Sequence, residues 1–496
     1  MWSENHQSSS LIPCLMSFSI PEINLIPLLP AIIPIVTAMV IMLADVLLPG
    51  KNKSWLAIVA LAGLAVAAYF TFNLYGAEQS AFNNSIVADH LSIGISLVVL
   101  VAAMITILLS IDYLSARNLD FGEYLALLLG AVSGMILMAL ANDLIVIFLG
   151  LELFSLPLYV LCAFWRTNNL SLEAGMKYFI LGAFSSAFFL YGIALLYGAT
   201  GTTNLETIHD ATNIASNPLF LMGAGLLLVG FGFKVGLVPF QWWMPDVYEG
   251  APTPITAFMS VATKAAAFAA FFRAFLIAVP TSTFDWQMVL AILAVVTMTI
   301  GNIAALTQTN IKRMLAYSSI AHAGYILIAL VAGESAGGVS AALFYFAAYA
   351  VMNLAAFGGV IALGQGDRER LTFSDLAGAA QQKPWAAAAV AISLLSLAGF
   401  PPFAGFVAKF FVFGAAVNAG FVWLAIIGVL NSLVSVYYYL GPVVRMYMNP
   451  PTEDWKQASS PTPALLTFAV IVVVLLTIGL GLFPSEVARF AQAAAK

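Results

Sequence analysis

Charge is what this sequence has least of. Of 496 residues, 18 are Lys or Arg and 23 are Asp or Glu, so 8% are charged, against about 25% in an ordinary soluble domain. Too little polar surface remains to cover a water-soluble protein of this length, which sets aside soluble enzymes and disordered scaffolds. A net charge of -5 and a pI near 5.4 leave no basic face for nucleic acid. Cysteine is nearly missing: Cys14 and Cys162 lie far apart in apolar surroundings and support neither a disulfide framework nor a zinc site. The sequence has no glycine-rich phosphate loop followed by Lys, no His-Glu-x-x-His and no Cys-x-x-Cys, so nucleotide, zinc, haem and iron–sulfur binding by this chain are not expected. What is plentiful is apolar side chain, at 62%, with a mean hydropathy of +0.98. The chain reads as an integral membrane protein whose chemistry is ion movement.

A hydrocarbon core about 30 Å thick needs roughly 20 helical residues per crossing. Apolar runs between polar or Gly/Pro punctuation predict helices at 25–47, 55–75, 88–111, 121–140, 143–163, 171–199, 218–240, 253–279, 286–307, 311–332, 337–364, 384–419, 421–447 and 462–484. That is about 14 spans and an all-α fold; barrel strands would alternate over about ten residues. Residues 1–19 contain no Lys or Arg and only a short apolar piece, so they do not read as a cleavable signal peptide. Eleven basic residues (Lys51, Lys53, Arg117, Arg166, Lys312, Arg313, Arg368, Arg370, Lys383, Arg445 and Lys456) fall on one side of this topology, and the opposite loops carry acids only. The positive-inside rule therefore places both termini away from the cytoplasm.

Four lysines remain inside the predicted helices: Lys177, Lys234, Lys264 and Lys409. An unpaired charge at the membrane centre costs about 2.5–3.5 kcal/mol even on lenient insertion scales, so such residues face inward, find partners and mark ion paths. Lys177, two turns into its helix, reads equally as a snorkelling or a supporting residue. Lys264 is mid-helix among alanines and cannot snorkel, and Lys234 and Lys409 each adjoin a helix interruption. Glu152 is the one carboxylate well inside an apolar run. It is read either as a structural ion-pair partner or as a charge whose movement alters a lysine's proton affinity. His322, alone among histidines in a span, is either a hydrogen-bonded core residue or a proton relay.

Pro239 in the seventh predicted helix and Pro401-Pro402 in the twelfth should break those helices. Paired interruptions in corresponding halves point to the transport site of an inverted-repeat transporter. The offset between them makes helices 4–8 (121–280) and 9–13 (281–448) look like two five-helix repeats. Three helices precede them in 1–120, and one follows in 449–496. An odd number of helices per repeat inverts one half against the other.

The run from Phe233-Lys234-Val235-Gly236-Leu237-Val238-Pro239-Phe240 to Asp246-Val247-Tyr248-Glu249-Gly250-Ala251-Pro252, followed by Lys264, strongly resembles the antiporter-like membrane subunits of respiratory complex I. These subunits are related to Mrp-type sodium/proton antiporters and membrane-bound hydrogenases. Leu149-Gly150-Leu151-Glu152-Leu153 and Lys312-Arg313-Met314-Leu315-Ala316-Tyr317 extend the likeness across helices 4–13. Within the family the N-type branch of proton-pumping NADH-quinone oxidoreductase is the most similar. The chain ends shortly after its last span, Lys409 stands where the M-type branch has Glu, and the Asp246–Pro252 wording is N-type. Gln241 departs from the His that many relatives carry after Pro-Phe.

The resemblance implies that Glu152 and Lys234 form a charge pair, that Lys264 is the central relay and Lys409 the last lysine toward the outer exit, and that His322 bridges the central gap, with Lys177 and Asp246 in support. It implies no cofactor in this chain, with quinone, iron–sulfur clusters and flavin in partner subunits. The implied partners are the bilayer, an M-type antiporter-like subunit and small K-, J- and A-type subunits, in a bacterial plasma membrane or a photosynthetic one. The competing readings are a sodium/proton antiporter component and a scaffold with vestigial lysines.

Overall fold

The computed structural model describes residues 24–48, 53–119, 121–211, 217–279, 285–364, 368–452, 455 and 462–493. The expectation about a leader segment in 1–19 lies outside them. Where no water can satisfy backbone groups, a long apolar run closes its hydrogen bonds internally as helix. In chain order these are α1 (Leu29–Leu47), α2 (Leu56–Asn73), α3 (His90–Ala116), α4 (Phe121–Leu140), α5 (Leu144–Cys162), α6 (Asn169–Thr200), the short α7 (Leu205–Asp210) and α8 (Pro218–Val235). There follow α9 (Trp243–Gly250), α10 (Thr253–Phe258), α11 (Lys264–Arg273), α12 (Trp286–Leu306), α13 (Ile311–Ala332) and α14 (Gly338–Leu363). The last are α15 (Ala379–Gln382), α16 (Pro384–Ala398), α17 (Ala404–Asn418), α18 (Val422–Met448), α19 (Ala464–Leu482) and α20 (Ser485–Ala493). Among the described residues thirteen stretches are long and apolar enough to span a membrane; α16 and α17 are two further, shorter apolar helices. Taken as one broken crossing they complete the fourteen read from the sequence. One element lies outside the all-α expectation, an antiparallel hairpin of β1 (Gln79–Ala81) and β2 (Ile86–Ala88).

Short polar side chains set the helix starts. Asp89 caps α3, Asp143 α5, Asn168 α6, Asn217 α8, Asp285 α12 and Asn310 α13, each accepting from a backbone N–H of the first turn and each worth about 1 kcal/mol. Both expected breaks occur. Gly236 (φ +80°) closes α8 and Gly399 (φ +95°) closes α16, in a left-handed conformation that only glycine adopts at little cost. The eighth span is interrupted in a way the sequence does not announce: α10 passes into α11 through a π-helical turn, Met259–Thr263, so that Lys264 sits where the helix returns to α geometry. Such turns occur often at functional sites.

The spans differ in how far they are enclosed. Thr253–Ala278, Ile311–Ala332 and Gly338–Leu363 are 89%, 94% and 89% buried, whereas Asn169–Thr200 and the C-terminal Ala464–Leu482 are 33% and 28%. The polar residues of interest therefore lie on, or against, the three helices farthest from lipid.

Candidate proton-translocation site

Lys234, Lys264, Lys409 and His322 are all buried, none more than 5% exposed. At the α5 end, Lys234 Nζ donates to Ser155 Oγ at 2.7 Å and lies 5.2–5.6 Å from the ring centres of Phe154, Tyr159 and Tyr178. Aromatic faces and one hydroxyl are what hold this ammonium in place. Glu152, half-buried on α5, accepts from Ser186 of α6 at 2.5 Å. Among the described residues no ion pair within 4 Å joins Glu152 to Lys234; the ammonium instead bonds Ser155, one turn along α5 from Glu152.

The centre is organised by Ser319 of α13. Lys264 donates to both its backbone carbonyl and its hydroxyl, and Tyr349 of α14 donates to the same hydroxyl at 2.9 Å. One turn on, His322 Nδ1 is 2.7 Å from Tyr345 Oη and its Nε2 is 3.1 Å from Tyr439 Oη. Tyr439 in turn bonds Ser318. The His322 ring also lies 5.0 Å from the Tyr349 ring and 5.6 Å from that of Tyr325, which places it between Lys264 and the far lysine.

Lys409 of α17 is held by carbonyls that the helix break leaves free. Its Nζ donates to Leu397 O at 3.0 Å, Ala398 O at 2.9 Å and Ser432 Oγ at 2.8 Å, and lies 5.1 Å from the Tyr325 ring. Tyr325 Oη accepts from Asn302, whose Oδ1 accepts from Tyr438. Hydroxyls, an amide and an imidazole thus accompany Lys264 and Lys409 through the interior. From Lys234 toward Lys264 runs a series of aromatic rings: Tyr159 edge-on to Tyr178, Tyr178 stacked on Trp243, and Trp243 edge-on to Tyr248. Buried Gln241 retains a side-chain oxygen without a protein partner.

Lys177 and Asp246 do come together, but at the edge. Lys177 pairs with Glu173 at 2.7 Å and Asp246 at 2.6 Å, and Arg313 pairs with Asp246 at 2.6 Å and Glu249 at 2.9 Å. This network ties the half-helix α9 to α6 and α13. Sequence reasoning missed the serines and tyrosines, because hydroxyl and aromatic residues occur throughout the chain and nothing in their spacing singles out these. It also missed two buried cations placed at span ends: Lys312, which donates to Ala251 O at 2.6 Å, and Arg273, paired with Asp89 at 2.6 Å.

Residues 141–435 match the protein family described as "NADH:quinone oxidoreductase/Mrp antiporter, TM". The chain is similar to NADH-quinone oxidoreductase subunit N of Trichlorobacter lovleyi, with 47% identity over 96% of this chain and 97% of that one. Its fold is similar to a chain in the structure of respiratory complex I from Thermus thermophilus with bound aureothin. There the TM-score is 0.80 and the identity 36%, with 94% of this chain and 99% of the other covered. A chain of the Mrp complex from Dietzia sp. shares the fold at a TM-score of 0.82 and 21% identity, covering 95% of this chain and 97% of that one.

Proposed function

Because the chain belongs to the NADH:quinone oxidoreductase/Mrp antiporter family, whose N-type members it resembles at 41–48% identity, we propose that its buried lysines carry protons in a redox-driven pump. The chain is a membrane-arm subunit of a proton-translocating NADH-quinone oxidoreductase, and it is a multi-pass membrane protein. The observation that supports the residue roles is the buried set Lys234, Lys264, His322 and Lys409, each hydrogen-bonded to a hydroxyl of its own: Ser155, Ser319, Tyr345 with Tyr439, and Ser432. A lysine without a buried carboxylate partner gives up its proton easily, because desolvation works against the ammonium. Oriented hydroxyls, imidazole and ordered water then pass that proton along.

Glu152 is the control point in this reading. It lies on the outward side of α5, level with exposed Leu149 and Leu156, where a charge on an adjacent M-type subunit reaches it. Drawing the Glu152 charge away from Lys234 removes stabilisation transmitted past Ser155 and favours proton release. The small K-, J- and A-type subunits complete the arm. Quinone, iron–sulfur clusters and flavin reside in partner subunits.

Both termini face away from the cytoplasm of a bacterial plasma membrane, in keeping with the eleven basic residues on the opposite side. Helices 4–8 and 9–13 form inverted repeats. Matching close approaches support this: Gly134 and Gly150 bring α4 onto α5, and Gly301 and Gly324 bring α12 onto α13 in the same way.

Mild-detergent purification from native membranes, followed by mass spectrometry of what stays bound, tests this reading. Stoichiometric iron–sulfur and quinone-site subunits are expected. Recovery of hydrophobic antiporter subunits alone would move the function to sodium/proton exchange.

A further inference from the structure

On the proposed cytoplasmic side, a cavity of about 200 Å³ opens between the ends of α3, α14 and α19, lined among others by Asp112, Tyr113, Glu369 and Lys383. Glu369 accepts from Thr253 Oγ1 at 2.5 Å, so the cavity reaches the first residue of the span that carries Lys264. Burial, with Arg370 nearby, lowers the Lys383 ammonium to about 8, which gives the mouth a group that exchanges protons near neutral pH.

Beyond the mouth, the interior holds polar atoms that no protein group satisfies. The hydroxyl of Thr106 is buried without a hydrogen-bond partner, and the hydroxyl of Tyr113, which faces Glu369, and the amide of Asn353, which faces Tyr349, are buried with no protein partner at close hydrogen-bond distance. Thr37, Thr71, Thr200, Thr263 and Thr477 each donate to the carbonyl four residues back, whereas the Thr106 hydroxyl has no such bond. An amide or hydroxyl buried in this way costs about 1–3 kcal/mol unless water partners it.

These atoms form a line. α3 and α14 run parallel and in register, with Gly94 against Leu343 at one level and Gly358 against Leu109 at another. At 1.5 Å per residue, Thr106 lies about 10 Å deeper than Tyr113, and Asn353 lies within about 3 Å of the depth of Thr106. Tyr349, which donates to the Ser319 hydroxyl that Lys264 also binds, is one turn or about 6 Å farther in. The summed depth, about 20 Å, is within one helical turn of the rise of about 16 Å from Thr253 to Lys264 along their own helix. The π turn Met259–Thr263 packs against both α3 and α14 at this level.

Resting on the proton-pump reading above, we infer that Tyr113, Thr106 and Asn353 line a water-filled inlet that delivers protons from the cytoplasmic cavity to Lys264. Water bridging the three side chains reaches Tyr349 and Ser319, and these hand the proton to the lysine.

The test uses the whole complex in proteoliposomes, with Asn353→Leu, Thr106→Val and Tyr113→Phe as near-isosteric apolar variants. If these groups were dry and idle, removing an unpaired polar atom would leave activity unchanged and stability unchanged or improved. The inlet instead requires proton translocation to fall by about tenfold with assembly intact, and Asn353→Gln and Thr106→Ser to restore it. Thr71→Val, whose hydroxyl is already satisfied, pumps normally. Wild-type pumping in the three apolar variants beside loss in Lys264→Ala overturns the inlet and leaves the pump standing. Normal pumping in Lys264→Ala overturns both.

Discussion

Lys234 donates its hydrogen bond to Ser155, while Glu152 takes one from Ser186; each of the two charged groups is bonded to its own serine and not to the other. Their coupling is thus electrostatic and runs past a hydroxyl, so it responds to charge at Glu152 without a direct bond having to break.

Glu152→Gln should lower coupled proton translocation, with Glu152→Asp recovering part of it. Ser155→Ala removes a hydrogen bond to a charged group, worth about 1.5–3 kcal/mol, and should lower activity also. Contacting residues are non-additive, so the double variant Glu152→Gln/Ser155→Ala should lose less than the two losses combined. Strict additivity in a double-mutant cycle of turnover would contradict coupling through Ser155.

Lys409→Arg should be nearly inactive although assembled. Arg does not release its proton at accessible pH, and the Lys409 side chain already lies against Gly399 in a site built from Leu397 O, Ala398 O and Ser432 Oγ. Proton translocation at or above half the wild-type rate would refute a protonation role at this position.

Tyr439→Phe deletes at once the hydroxyl shared by His322 and Ser318. The expected result is slower proton transfer with full subunit content on a native gel. Thr467→Val, whose hydroxyl bonds only Pro463 O on the exposed start of α19, serves as the comparison that stays at wild-type rate.

The edge network should matter to stability more than to transport. Lys177 and Asp246 are about one-third exposed, so Lys177→Met should cost only about 0.5 kcal/mol after solvent screening. Asp246→Ala, which takes one of two carboxylate partners from both Lys177 and Arg313, should cost more and lower the melting temperature of the purified complex. The reverse order would show that Asp246 does not hold α9 in place.

The spans were legible because 62% apolar composition leaves few alternatives, and Lys264 stood out because a charge in Ala262–Ala270 has no structural excuse. Pro239 and Pro401 announced both breaks. What the sequence hid was the connecting material. Ser155, Ser319 and Tyr349 are ordinary helix residues until folding brings three helices together, and the π turn before Lys264 leaves no mark in helical periodicity. Lys312 and Arg273 sit at span ends, where a long side chain is expected to reach water, and their burial depends on packing against Ala251 and Asp89.

The most direct measurement is the proton-translocation rate of reconstituted complex carrying Lys264→Ala, read beside its quinone-reduction rate and subunit content. A fully assembled variant that has lost most of its coupled proton transport is the predicted result. Translocation and reduction both at wild-type levels would contradict a path through Lys264.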